Sequence, residues 1–170
     1  YYDGSAWQAV GASGLTLISS TTIGTAVTSI ALTSVFSATY DNYKIVISGG
    51  AASTTCDLKL KIGSATSNYK YYLVQNAFGT ASASVQTSSG AGDWTFAGGG
   101  GTSGLYMNIE LVNPFLTKYT YTSAGWANEA YAGHFMGLLA DSTSHTSAII
   151  TPSSGTITGG TIRVYGYTNS

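Results

Sequence analysis

Two histidines, seven carboxylates and one cysteine carry most of the reactive chemistry available to this chain of 170 residues. A hydrolase of the serine type needs a nucleophile on a sharp turn with an imidazole in hydrogen-bond reach. No G-x-S-x-G elbow is present, and only His134 and His145 could act as the base. A glycosidase needs two carboxylates about 5–10 Å apart. Asp3, Asp41, Asp57, Asp93, Glu110, Glu129 and Asp141 all stand isolated in sequence. His134, Asp141 and His145 match no established metal spacing. Asp41-Asn42 lacks the D-x-[DN]-x-[DN]-G continuation of a calcium loop and reads as a turn. Gly99, Gly101 and Gly104 satisfy G-x-G-x-x-G only because they lie in a glycine run, and a strand pattern follows where a phosphate cradle needs a helix. Cys56 is alone, so it forms no intrachain disulfide and reads as a half-buried free thiol. The residues point to no catalytic centre and to no metal or other cofactor.

What remains is surface chemistry. Thirteen tyrosines and three tryptophans accompany 22 glycines and abundant Ser and Thr, while only 8% of residues are charged, against about 25% in an average domain. A net charge of −1 excludes electrostatic binding to nucleic acid, which requires clustered Lys and Arg. No apolar run reaches 18 residues, so no membrane insertion is expected. Tyrosine with Ser, Thr and Asn can stack on sugars and hydrogen-bond to them without charge. The same composition suits subunit interfaces. Tyr71, Tyr72, Tyr119 and Tyr121 are therefore open between core, interface and ligand contact. Together with Trp94, set between two Gly/Ser-rich stretches, they are the candidate surface contacts.

The elements that must position these side chains follow a period of two. Leu58, Leu60 and Ile62 fall on one face of a strand, with Asp57, Lys59 and Lys61 on the other. Similar alternation marks Tyr43–Ser48, Leu105–Val112, Phe115–Tyr121 and Ile162–Tyr165. Turn signals such as Gly49-Gly50, Asn113-Pro114 and Gly159-Gly160 separate about ten or eleven strands. No long amphipathic helix intervenes; Ala124–Ala132 has room for one short turn. The pattern predicts a single all-β domain, an antiparallel sandwich or barrel, over 25–170. Residues 1–24 read as an extended N-terminal arm or linker. The stretches 80–92 and 98–104 read as long loops.

Five segments carry a resemblance: YYDGSAW (1–7), LTLISSTTIG (15–24), YDNYKIVISG (40–49), the Asn113-Pro114 turn and GTIRVYGY (160–167). They resemble tail-fibre and related virion surface proteins of tailed bacteriophages. In that group a Tyr-x-Asp/Asn-Gly-x-x-Trp stretch precedes a terminal β-domain ending in Gly-x-Ile-x-Val/Leu-Tyr-Gly. The match touches both ends and the first third of the chain, and its motifs contain no catalytic residue. The resemblance implies a jelly-roll-like β-sandwich on the surface of an extracellular virion, assembled as a homotrimer beside other virion proteins. The expected role is structural and adhesive: a fibre or appendage domain that attaches to a host-surface glycan or protein. The alternatives are a capsid decoration or cement protein that stabilises the head, a polysaccharide depolymerase, and a lectin-like secreted module. A start at Tyr1 rather than Met fits a terminal piece of a longer fibre.

Overall fold

A computed structural model describes Ser5 and residues 14–168. Its strands are β1 (Leu15–Thr22), β2 (Ile30–Leu32), β3 (Asn42–Ser48), β4 (Ala51–Ala52), β5 (Cys56–Ile62), β6 (Tyr69–Ala77), β7 (Ser84–Ala91), β8 (Trp94–Gly101), β9 (Gly104–Val112), β10 (Thr120–Ala127), β11 (Tyr131–Leu139), β12 (Ala148–Pro152), β13 (Ile157–Thr158) and β14 (Thr161–Tyr167). All pairings between them are antiparallel, and no helix occurs among the described residues.

Two sheets share the strands. One runs β1-β14-β3-β9-β10-β11-β6-β7 and the other β2-β12-β5-β8, joined through the β8–β9 hairpin. Setting aside β4 and β13, which pair with each other, and the hairpins β6–β7 and β10–β11, eight strands remain. Numbered in chain order, they lie first-eighth-third-sixth in one sheet and second-seventh-fourth-fifth in the other. That is the strand order of a jelly roll. The two inserted hairpins extend the first sheet from four strands to eight. The expected antiparallel sandwich is the observed fold, with fourteen strands among the described residues rather than ten or eleven.

Alternation dictates the core. Leu58, Leu60 and Ile62 of β5 are fully buried while Lys59 and Lys61 between them are not. Tyr43, Ile45 and Ile47 of β3 and Ile162 and Val164 of β14 face the same interior. Aromatic rings couple the layers edge-on. Tyr69 on β6 meets Trp94 on β8 at 5.2 Å, Tyr71 on β6 meets Phe96 on β8 at 5.6 Å, and Phe96 meets Trp126 on β10 at 5.9 Å. The Tyr69 hydroxyl accepts from Ile62 N at 2.7 Å, and burial pushes its pKa up.

Three expectations give way. Residues 15–22 are not part of an arm: β1 pairs with β14 along its length, and Ile23 is buried. Residues 1–4 and 6–13 of that arm lie outside the described residues. The stretches 80–92 and 98–104 are mostly strand, as β7, β8 and the start of β9. A run of Gly, Ser and Thr has no polar-apolar contrast, so its period of two is invisible in sequence. Ala124–Ala132 holds no helical turn; it spans the β10–β11 hairpin. Two predicted glycine turns meet in space: a β-carbon on Gly50 would stand 2.2 Å from Gly159 O, and Gly50 has φ of +76°. Both the clash and the left-handed backbone require glycine there.

Candidate contact face and terminal pocket

The outward side of the eight-stranded sheet carries exposed apolar side chains on regular structure. One register row crosses every strand. It runs Leu17–Tyr165–Lys44–Glu110 over β1, β14, β3 and β9. It continues Ser123–Met136–Tyr72–Thr87 over β10, β11, β6 and β7. Seven inter-strand steps make it about 34 Å long. The neighbouring row carries Val112, Tyr121, Leu138 and Lys70. Leu17, Met136 and Tyr121 are each more than half exposed. A solvated sheet face ordinarily alternates polar residues outward. Here Leu, Tyr, Val and Met take those positions.

Two of the charges on this face offset each other, while Lys70 stays exposed and Arg163 donates to the Ser48 hydroxyl. Lys44 Nζ pairs with Glu110 Oε1 at 2.6 Å, and the Tyr167 hydroxyl donates to Glu110 Oε2. Burial and the adjacent carboxylate push the Tyr167 pKa up to about 12. Asn42, Glu110, Val112 and Tyr167 line a hollow of about 330 Å³, and Lys70, Tyr72, Met136 and Leu138 line another of about 280 Å³.

A third hollow, of about 250 Å³, lies at the opposite end of β9, between the β8–β9 turn and the β10–β11 turn. Gly99, Gly100, Ser103, Gly104, Leu105 and Tyr106 line one side, with Ala127, Asn128 and Glu129 on the other. Glu129 is clamped by two turns: its Oε1 accepts from Ser103 N at 2.8 Å and Thr102 Oγ1 at 3.2 Å, its Oε2 from Thr55 Oγ1 at 3.0 Å. The Ser103 amide, then the Thr55 hydroxyl, hold its pKa below the usual carboxylate range.

The structure sorts the five candidate contacts. Tyr72 and Tyr121 lie on the outer face, and Tyr119 is exposed immediately before β10. Tyr71 points inward, half-buried against Phe96. Trp94 is corrected outright: it is fully buried, because Gly137 on β11 leaves space for the indole, whose Nε1 stands 2.6 Å from where a β-carbon would be. The terminal hollow escaped the sequence reading because its walls come from two hairpin turns more than twenty residues apart.

The remaining reactive side chains are scattered. Asp141 Oδ2 lies 3.4 Å from Nε2 of His145, which is buried. Asp141 is held low first by hydrogen bonds from Thr143, and burial lowers the His145 pKa. Cys56 is a buried free thiol whose pKa burial raises. Among the described residues no three His, Cys, Asp or Glu converge as metal ligands. No family model, curated protein or solved structure matches the chain.

Proposed function

We propose that the chain is a non-enzymatic surface module of a tailed-phage virion, a fibre or appendage domain that assembles as a homotrimer and attaches to the host surface. The observation that carries this reading is the outer face of the eight-stranded sheet, with Leu17, Met136, Tyr72 and Tyr121 exposed around a self-neutralised Lys44–Glu110 pair. Exposed large apolar side chains gathered on one sheet face are the kind of surface that marks interaction sites. The sheet edges argue the same way. β1 and β7 are the terminal strands, each of eight residues, and neither contains a charged residue or proline. Each edge pairing carries one register shift, between Leu17 and Ser19 in β1 and opposite Tyr69 and Tyr71 in β7, and the rest of each edge ladder is open to a neighbouring strand. A ring of identical subunits covers both edges and faces and multiplies weak single contacts into avidity. The segments 15–24, 40–49 and 160–167 that resemble phage fibre proteins supply β1, β3 and β14, three adjacent strands of this sheet.

Immunogold labelling of particles that carry the chain tests the reading. Label on the tail apparatus or fibre ends is expected. Label spread over the head points instead to a decoration protein, and particles without label overturn both.

A further inference from the structure

We propose that the hollow between the β8–β9 and β10–β11 turns binds one neutral sugar ring, with Tyr106 as its apolar wall, Glu129 as hydroxyl acceptor and Asn128 as donor. The inference rests on the attachment reading and gives it a ligand class and a place.

The wall chemistry narrows the ligand. No Lys, Arg or His lines the hollow, and its one charge is the Glu129 carboxylate. A phosphate, sulfate, sialic acid or uronate meets repulsion there with no cation to offset it. An organic cation finds a single carboxylate already accepting three hydrogen bonds, and one tyrosine in place of an aromatic cage. A neutral polyhydroxylated ring suits what is left. Its C–H face covers the half-exposed ring of Tyr106, and its hydroxyls meet fixed polar groups at the rim. A carboxylate offers about four lone-pair positions. Three are taken in Glu129, which leaves one for a ligand hydroxyl.

Asn128 is oriented to complement that acceptor. Its Oδ1 accepts from Ala130 N and Tyr131 N, both at 2.9 Å, which fixes the amide plane. Its Nδ2 has no partner among the described residues, so both of its N–H donors are unused. Donor and acceptor thus sit on adjacent residues of one turn, and both line the hollow. At about 250 Å³ the hollow is smaller than the roughly 300–1,000 Å³ of drug-sized sites, which fits one ring better than an extended chain.

Preorganisation has a visible cause. A β-carbon on Gly101 would stand 2.1 Å from the Glu129 carboxyl carbon, so glycine there lets the carboxylate lie over the turn. The position also suits attachment. Tyr106 and Val112 are six residues apart on β9, about 20 Å. Val112 is at the end where Gly14 and Thr168 bond to each other, so the hollow faces away from the chain's described ends.

The test uses the full chain on an array of neutral and acidic bacterial oligosaccharides, followed by calorimetric titration of the best neutral glycan. Binding of neutral glycans is expected, falling at least ten-fold in Tyr106→Ala and in Gly104→Val. The second variant keeps the test sound if the first misfolds. Gly104 lines the hollow, and a β-carbon there has nothing within 4 Å, so valine narrows the site with no clash at the β-carbon. An array with no neutral glycan bound, or affinity unchanged in folded Gly104→Val, overturns the site. Immunogold label on the fibre under either outcome leaves the attachment reading standing.

Discussion

The ring of Tyr40 occupies the space in which a side chain on Gly166 would stand: a β-carbon there would lie 2.4 Å from the tyrosine Cγ. Tyr40 also packs edge-on against Tyr43, at 6.0 Å, and Tyr43 packs edge-on against Phe36 at 4.9 Å. The Tyr43 hydroxyl is tied to both the N and O of Ser37 at 2.8 Å. The glycine near the chain's end is thus a packing requirement of the aromatic cluster at the start of β3. The same device recurs where Trp94 lies over Gly137.

Gly166→Ala tests that device. The alanine methyl displaces a ring packed edge-on against Tyr43, and overpacking of this kind costs about 1–3 kcal/mol. A lowered urea midpoint with an unchanged slope is expected. Gly104→Ala, with open space around its β-carbon, is the control and leaves the midpoint in place. Equal midpoints for both variants would refute the packing argument.

The two faces of β5 make opposite predictions. Leu60 is fully enclosed, so Leu60→Asp buries an unpaired carboxylate and abolishes folding. Leu60→Ala costs about 2–5 kcal/mol through the cavity it leaves. Lys59→Ser, one residue away on the partly exposed face, stays within about 0.5 kcal/mol. Circular dichroism melts of the three variants rank them in that order.

Legibility of this fold tracks side-chain contrast. Strands β3, β5, β9 and β14 are readable because Ile, Leu or Val alternate with Lys, Asp, Glu, Asn or Arg. β7 and the glycine half of β8 are not, because Ser, Thr and Gly look alike on both faces; only Trp94 to Phe96 at the start of β8 reads as a short strand. The start of β1, Leu15 to Ser19, reads as a short strand, but the register shift between Leu17 and Ser19 and the hydroxyl run after it hide its pairing within the sheet. Trp94 misleads for a related reason. A tryptophan on a short strand between two Gly/Ser-rich stretches reads as a surface contact, whereas the glycine that makes room for it, Gly137, is 43 positions away. Glu129 and Asn128 carried no signal beyond two polar residues between two strand patterns. Only the pairing of β8, β9 and β10 brings them to Tyr106.

Stability has two opposing pH responses. Burial pushes the Asp57 pKa up to about 6, against the pull of Lys59 and of the Trp126 indole N–H, which falls short of full hydrogen-bond geometry. Between the unfolded value of about 4 and 6 the folded chain binds the extra proton, so this group's contribution weakens as pH rises through that window. His145 works the other way. Its folded pKa lies below 6.5, so the unfolded chain binds more protons and stability is lost as pH falls from about 6.5. Asp141 and Glu129, both held low, add losses only when pH falls below the ordinary carboxylate range of about 4. Asp57→Asn removes the first response alone. Its denaturation midpoint is expected to fall steadily from pH 7 to pH 5, while the parent chain's stays flatter. Superimposable profiles would assign Asp57 no role.

The outer face makes the prediction on which the assembly reading depends. Met136 and Tyr121 project from neighbouring strands of the eight-stranded sheet, on adjacent rows, and neither supports the core. Met136→Glu with Tyr121→Glu therefore leaves the fold of a single chain intact. In an assembly the same changes bury two unpaired charges per subunit, each worth several kcal/mol unless neutralised. Light scattering coupled to gel filtration is expected to report three 17.5 kDa chains for the parent and one for the double variant, with similar far-ultraviolet spectra. A parent that runs as a monomer at micromolar concentration removes the trimer. A double variant that stays trimeric moves the interface off this face, to the open edges at β1 and β7.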